Sequence, residues 1–288
     1  MITIHLKGGL GNQLFQIFAT IAYALEHGHN FVFPYSDKLE AGMVRPTYWN
    51  NFLKNLLVHT TANNSYRYIH DQINNLPVIR ESGFHYQPLP MIETRVNFAL
   101  DGYFQSYRYF EKYQTRLYDM IGLHVLQQTI KNDYQHYLEN KFTVSMHFRL
   151  GDYKYKQEYH PVMAKEYYEK SLGHIVSAVR EPIRVLYFCE AEDNEYVVSV
   201  IEYLKKQLNN GSIEFVKVED TIEDWKQMLL MSCCNSQIIA NSSYSWFGAY
   251  LCQDDKKHVC YPNKWFGPGM GHTIVDDLFP PTWTKINF

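Results

Sequence analysis

Three short stretches of the chain group side chains that could hold or move charge. MHFRLGDY, residues 146–153, contains His147, Arg149 and Asp152. A guanidinium can grip two phosphate oxygens at once and stays charged at any physiological pH. Arg149 is therefore a candidate diphosphate clamp, with a purely structural ion pair to Asp152 as the alternative. His147 falls on the strand face opposite Phe148 and can hydrogen-bond either a ligand or the backbone. Asp152 reads as the group that orients the turn or the arginine. IIANSSYSWFGAYL, residues 238–251, runs an apolar strand into Asn241, Ser242, Ser243 and Ser245 at the start of a helix. Such residues cap free N–H groups, or with those same groups cradle a phosphate. So many polar residues together exceed what capping alone requires. KGGLGNQLFQ, residues 7–16, places Gly9 and Gly11 where a ligand could approach the backbone closely. Asn12 and Gln13 then open a helix and face the ligand side. This stretch is neither a P-loop, which would end in Gly-Lys-Ser/Thr, nor a full dinucleotide fingerprint, since Leu14 stands where a third glycine belongs. A tight strand-to-helix turn is the simpler alternative.

No Asp-x-Asp triplet occurs in the chain, and the pairs Asp254–Asp255 and Asp276–Asp277 read as solvated surface. A metal-dependent sugar-nucleotide enzyme needs carboxylates to hold its cation against a diphosphate. Here an arginine and a helix N-terminus are expected to supply the positive charge, with neither metal nor cofactor.

The elements that must position these groups follow from periodicity. Ile2, Ile4 and Leu6 alternate as a strand before the glycine turn, and Leu14, Phe18, Ile21, Ala22 and Leu25 form one helical stripe ended by Gly28. Between 31 and about 138 the pattern is irregular, with strands predicted only near 31–33 and 98–104 and a helix over 106–120. From Phe142 strands and amphipathic helices alternate. Strands are predicted at 142–148, 184–189, 213–218, 237–240 and 258–261, and helices over about 164–180, 193–208, 221–233 and 245–252. That alternation predicts a parallel sheet covered on both faces. Two domains are expected, 1–138 as an α/β unit and 139–288 as a Rossmann-like unit. Ligands of such sheets sit beyond the carboxyl ends of the strands, where all three motifs fall.

The 288 residues are 46% hydrophobic and 20% charged, which places the chain among globular proteins. A formal charge of -3 gives no case for a nucleic-acid partner. The cysteines are odd in number, without CxxC, and mostly in apolar segments, as in a reducing compartment. No signal peptide and no apolar run long enough to span a bilayer is read, so a cytoplasmic location is expected, with peripheral membrane contact left open. The sequons at Asn63, Asn210 and Asn241 carry no weight in that setting. The aromatic content, 24 Tyr and 17 Phe, suits either a Tyr-rich core or a sugar-stacking surface.

GGLGNQLFQ, DGYFQSYRYF (101–110), HFRLGDY and ANSSYSWFGAYL resemble, in order, the motifs of bacterial-type α-1,2-fucosyltransferases. EDWKQMLLMSCC (223–234) and YPNKWF (261–266) extend the likeness over nearly the whole chain. The resemblance implies an α/β, GT-B-like fold of two Rossmann-like domains facing across a cleft, the first on the acceptor side. It implies fucose transfer from GDP-fucose, with inversion and without metal, to a hydroxyl such as galactose O-2 of an oligosaccharide acceptor. The first arginine of the family's H-x-R-R-x-D motif, which contacts the donor diphosphate, falls on Arg149. The phosphate-facing serines fall on Ser242, Ser243 and Ser245, and Asn12 lines the cleft. The chain departs from the motif at Leu150, where a second arginine is usual. It departs again at CEAEDNEY (189–196), where Glu190, Glu192 and Asp193 stand in place of a Ser-Asp-Asp run that would lie around the guanine or its ribose. Asp152, His147 and His160 are the candidate bases. Rival readings are a related transferase with another nucleotide sugar or linkage, an NAD-dependent dehydrogenase, and a non-catalytic carbohydrate-binding protein.

Overall fold

The computed structural model describes residues 1–40 and 43–288. The chain forms two compact α/β units, Met1–Val125 with Thr273–Pro280, and Leu126–His272 with Pro281–Phe288. The expected junction was 138/139.

The first unit opens with β1 (Ile2–Ile4) and α1 (Leu10–His27). Leu14, Phe18, Ile21 and Ala22 of the helical stripe are buried, and Gly28 ends the helix in the left-handed region with its N–H on the Ala24 carbonyl. Two short strands of two residues each, β2 (Lys38–Leu39) and β3 (Arg45–Pro46), follow and pair antiparallel. Then come β4 (Val78–Arg80), β5 (Phe98–Asp101) and α2 (Gln114–Ile121). The sheet has the order β1-β5-β4 and is parallel throughout. Thr3 is as buried as Ile2 and Ile4, because both faces of β1 are covered.

Three local expectations change here. Residues 31–33 make only the isolated bridges Ile2–Phe31 and Phe33–Thr60. The strand expected over 98–104 stops at Asp101. The helix expected over 106–120 breaks into two 3-10 turns, Tyr107–Tyr109 and Glu111–Tyr113, before α2. Tertiary packing explains the break. Phe110 has a non-helical backbone (φ -142°) and a buried ring 5.9 Å from that of Phe15 and 5.6 Å from that of Phe18.

The division between the units falls inside α3 (Leu123–Asp133), which α4 (Gln135–Leu138) follows. The second unit then alternates as expected: β6 (Phe142–His147), α5 (Lys165–Ala178), β7 (Ile183–Phe188), α6 (Asn194–Leu208), β8 (Ile213–Lys217), α7 (Asp224–Ser232), β9 (Ser236–Ile238), α8 (Ser243–Tyr250), β10 (Val259–Pro262) and β11 (Thr284–Ile286). All six strands are parallel, in the order β11-β10-β9-β6-β7-β8. Numbered from β6, this is the Rossmann order, with its switch point between β6 and β9. Val144, Met146, Tyr167, Leu172, Val185 and Val197 belong to the core over this sheet. Thr143, Ser145 and His147, on the other face of β6, are buried as well. The polar–apolar alternation of β6 therefore does not mark a wet face. Thr143 answers its burial with backbone and hydroxyl bonds to the Asn235 amide oxygen at 2.8 and 2.9 Å.

Candidate functional site

In an open parallel sheet the connections from the two strands beside a switch point leave in opposite directions, which opens a crevice at their carboxyl ends. β6 runs into His147–Asp152 and β9 runs toward Asn241–Ser245, so two of the three motifs border one crevice mouth of the second unit.

Arg149 lies just past β6 with its fork held by two carboxylates. Nη2 donates to Asp152 Oδ1 at 2.6 Å and Nη1 to Glu190 Oε1 at 2.5 Å. Asp152 Oδ2 also takes Lys156 Nζ at 2.9 Å, so Asp152 orients both cations. Beneath the guanidinium lies the Tyr153 ring, 4.9 Å away. That ring stacks on His160 at 4.8 Å, and its hydroxyl donates to the Asn241 carbonyl at 3.4 Å. Burial pushes the Tyr153 hydroxyl up, so it stays protonated. One aromatic residue thus links the arginine turn to the serine turn.

Gly151 makes the crowding possible. Its φ is +42°, and a Cβ would sit against the Glu190 carboxylate. Its N–H donates to Asp193 Oδ2 at 3.0 Å, and Lys154 pairs with the other oxygen of this wholly buried carboxylate. Glu190, Glu192 and Asp193 do come together, with ligand atoms within 4.8 Å of one another, a spacing that could hold a cation. Arg149 and Lys154 already neutralise two of the three. Leu150 is buried in the core. The position where a second arginine is usual therefore points inward, and the cations here are Arg149 in the motif and Lys154 and Lys156 just after it.

His147 is buried, with Nδ1 lacking a partner among the described residues. Burial, with the nearby Arg149 charge, holds its pKa down at about 3. It is neutral at physiological pH and adds no cation to an anion site. Burial also lowers His160.

The polar residues after β9 divide their work. The buried Asn241 amide donates to the carbonyls of Pro161 (3.0 Å) and Trp265 (3.1 Å), pinning two loops. The Ser242 hydroxyl caps α8 by accepting from the Tyr244 N–H at 3.3 Å. Ser245 is buried and donates to the Ser242 carbonyl at 3.4 Å. Ser243, at the first helical position, is only half-buried. Of the four serine-turn candidates, Ser243 is the one that is not buried.

The glycine motif lies at the carboxyl edge of the first unit's sheet. Gly8 carries the positive φ, +81°, and a Cβ there would run into the Asn12 amide. Gly9 is the N-cap of α1, which no side chain caps among the described residues, and Gly11 lies inside the helix. Gln13 is buried and donates to the carbonyls of Gly8 (3.0 Å) and Pro46 (2.9 Å), so it braces the turn. Asn12 accepts from Gln105 Nε2 at 2.7 Å, joining the turn to the loop after β5. The residues that sequence reasoning passed over are Gly8, Tyr153 and the partners of that loop. An aromatic directly after the Gly-Asp turn was the available signal for Tyr153.

A sequence model of the family described as Glycosyl transferase family 11 matches residues 1–287. The Escherichia coli O-antigen biosynthesis glycosyltransferase WbnK is 28% identical over 184 residues, covering 61% of this chain and 57% of that protein, so the match spans little more than half of that relative. The Escherichia coli alpha-1,2-colitosyltransferase is 26% identical over 309 residues, covering 99% of each. Among solved structures, that of POFUT1 in complex with GDP superposes with a TM-score of 0.50 at 11% identity, covering 90% of this chain and 97% of that one. At that identity the likeness speaks for the fold alone, and it agrees with the expected α/β class with parallel sheets. No helix of the described residues is long and apolar enough to cross a membrane.

Proposed function

The chain belongs to glycosyl transferase family 11, and we propose that it moves fucose from GDP-fucose to a hydroxyl of a galactose-containing glycan, galactose O-2 foremost, with inversion and without a metal. The observation that carries this reading is the pairing of Arg149 with the start of α8 on the two strands beside the switch point. The diphosphate would lie with its oxygens on the Arg149 fork and the amides near Ser243. Charge develops on the departing GDP as the glycosidic bond breaks, and these two groups would meet it. The acceptor hydroxyl attacks the opposite face of the anomeric carbon, the bond to GDP breaks, and the hydroxyl proton passes to solvent water after the new bond has largely formed. Asp152 is engaged by two cations and His147 is buried, so neither offers a free base; in a strongly dissociative transition state the proton leaves late.

A second reading keeps the site and changes the donor sugar. The relative that matches along its whole length is named a colitosyltransferase. Incubation with lactose and GDP-fucose or GDP-colitose, followed by linkage analysis, separates the two. An α-1,2-fucosylated product formed equally well in EDTA is the expected result. A preference for the colitosyl donor moves the assignment to the second reading, and GDP release from neither donor overturns both.

A further inference from the structure

The segment DGYFQS, which begins at the last residue of β5, holds one non-glycine residue at positive φ. Phe104 has φ +53°, a conformation that a bulky residue adopts only when its surroundings impose it. The imposing group is Glu81, whose carboxylate accepts from the N–H groups of Tyr103 at 2.7 Å and Phe104 at 2.9 Å. Gly102 is required where Glu81 crosses, since a Cβ would collide with that side chain. The Phe104 ring is buried edge-on to Tyr109 at 5.3 Å. The neighbouring Tyr103 is turned outward and is 38% exposed.

Around Tyr103 the polar groups are fixed. Lys7 Nζ lies 4.9 Å from the ring centroid and 2.8 Å from Asp101 Oδ1. The Lys7 backbone is clamped at both N–H and carbonyl by the Gln16 amide, at 2.9 and 2.8 Å. Asp101 Oδ2 has Arg80 Nε at 3.4 Å, a distance that leaves it able to accept a further hydrogen bond. Lys7 and Arg80 balance Asp101 and Glu81, so the edge shows an anion no net charge. It offers a flat apolar ring, an acceptor carboxylate and a donor ammonium side by side. That combination suits a neutral ring bearing vicinal hydroxyls, with C–H groups against the tyrosine and hydroxyls shared between Asp101 and Lys7.

We propose that Tyr103, Asp101 and Lys7 form a saccharide subsite for the acceptor, with Tyr103 as its platform. The assignment rests on the transferase reading above and extends it to residues of the first unit. Asp101 is held below the usual carboxylate range by its bond to Lys7, so it stays ionised and orients a hydroxyl by accepting from it.

The test compares Tyr103→Ala, Tyr103→Phe and Asp101→Asn. Lactose KM is measured at saturating donor and GDP Kd by calorimetry. Tyr103→Ala is expected to raise lactose KM about tenfold, the scale of one lost aromatic contact, with GDP Kd within about twofold of the unaltered protein. Tyr103→Phe is expected to restore KM, and Asp101→Asn to raise it. An unchanged KM in Tyr103→Ala, an equal loss in Tyr103→Phe, or a matching loss of GDP affinity overturns the subsite. Saturation-transfer NMR with lactose and other β-galactosides reads the same contact without turnover. If none receives saturation from the unaltered protein, the subsite falls, and GDP binding by that same sample shows whether the donor reading survives it.

Discussion

The two units solve the same problem, an ordered carboxyl edge on a parallel sheet, with different chemistry. In the first unit the loops are held mainly by neutral amides and by the half-buried Glu81 carboxylate, beside the Lys7–Asp101–Arg80 ion pairs. Gln13 and Gln16 bond backbone groups, Gln105 bonds Asn12, and Glu81 bonds two N–H groups. In the second unit the loops are held by charge. Arg149, Lys154 and Lys156 interleave with Asp152, Glu190 and Asp193. The helix starts differ too, with α1 opening on a bare glycine and α8 on a serine that caps it. An edge of amides and an aromatic ring suits hydroxyls. An edge of paired cations and carboxylates suits an anion that can exchange for those carboxylates, as the proposed diphosphate would.

The sharpest way to break this contrast is Arg149→Ala. If Arg149 meets the charge that develops on GDP, as proposed, its loss is expected to lower kcat by about 10²- to 10³-fold, or about 3–4 kcal/mol. Near-normal turnover by a folded variant would remove the charged edge from the reaction.

A smaller effect concerns how the charged edge is supported. His147 is buried neutral with a pKa of about 3, against 6.5 for the free side chain. Between those values the unfolded chain binds a proton that the folded chain does not, so stability falls as pH drops below about 6.5. From pH 7 to pH 5 the cost is about 2 kcal/mol. Urea unfolding at both pH values should show that loss in the unaltered protein and a flatter dependence in His147→Gln. Equal slopes would mean that His147 is protonated in the native state.

How far each edge could be read from sequence follows from the same contrast. The strands of the second unit are long enough for periodicity to speak, and strand ends coincided with motifs there, so the strand-end positions of Arg149 and of the turn Asn241–Ser245 could be read from sequence. Strand order could not, because β6 and β9 are neighbours only through the crossover by way of β8. Glu190 reaches Arg149 from the end of β7, the strand paired with β6, a partnership invisible to local spacing. Leu150 read as a lost cation until its burial showed that the position faces the core. In the first unit β4 is three residues long and largely exposed, with no alternation to detect. The helix predicted over 106–120 had the right composition and yielded to the packing of Phe110. Glu81 looked like a loop acid, and nothing before folding links it to Phe104.

Glu190→Gln probes whether the carboxylates merely park the arginine. Glu190 is more than half exposed, so its pair with Arg149 contributes only on the order of 1 kcal/mol or less. Its neutral counterpart leaves the Nη1 donor available to phosphate, and GDP Kd is expected to fall by about two- to fivefold. A weaker GDP complex would mean that Glu190 itself touches the nucleotide, as the family's acidic run in this place suggests, and that its bond to Arg149 is secondary.

Salt separates the two edges without any mutation. Raising ionic strength from about 0.1 M to about 1 M shortens the screening length from about 10 Å to about 3 Å. Asp152, Glu190 and Asp193 balance Arg149, Lys154 and Lys156, so a diphosphate feels that change in its direct contact with Arg149 rather than along its approach. GDP Kd is expected to rise by about fivefold. The first unit's edge carries balanced charge around Tyr103, and a neutral sugar gains nothing from a long-range field, so lactose KM at saturating donor should stay within about twofold. Using chloride and acetate salts in parallel separates screening from competition by a particular anion. If lactose KM climbs together with GDP Kd, the acceptor is read by the charged edge as well, and the division of labour between Arg149 and Tyr103 fails.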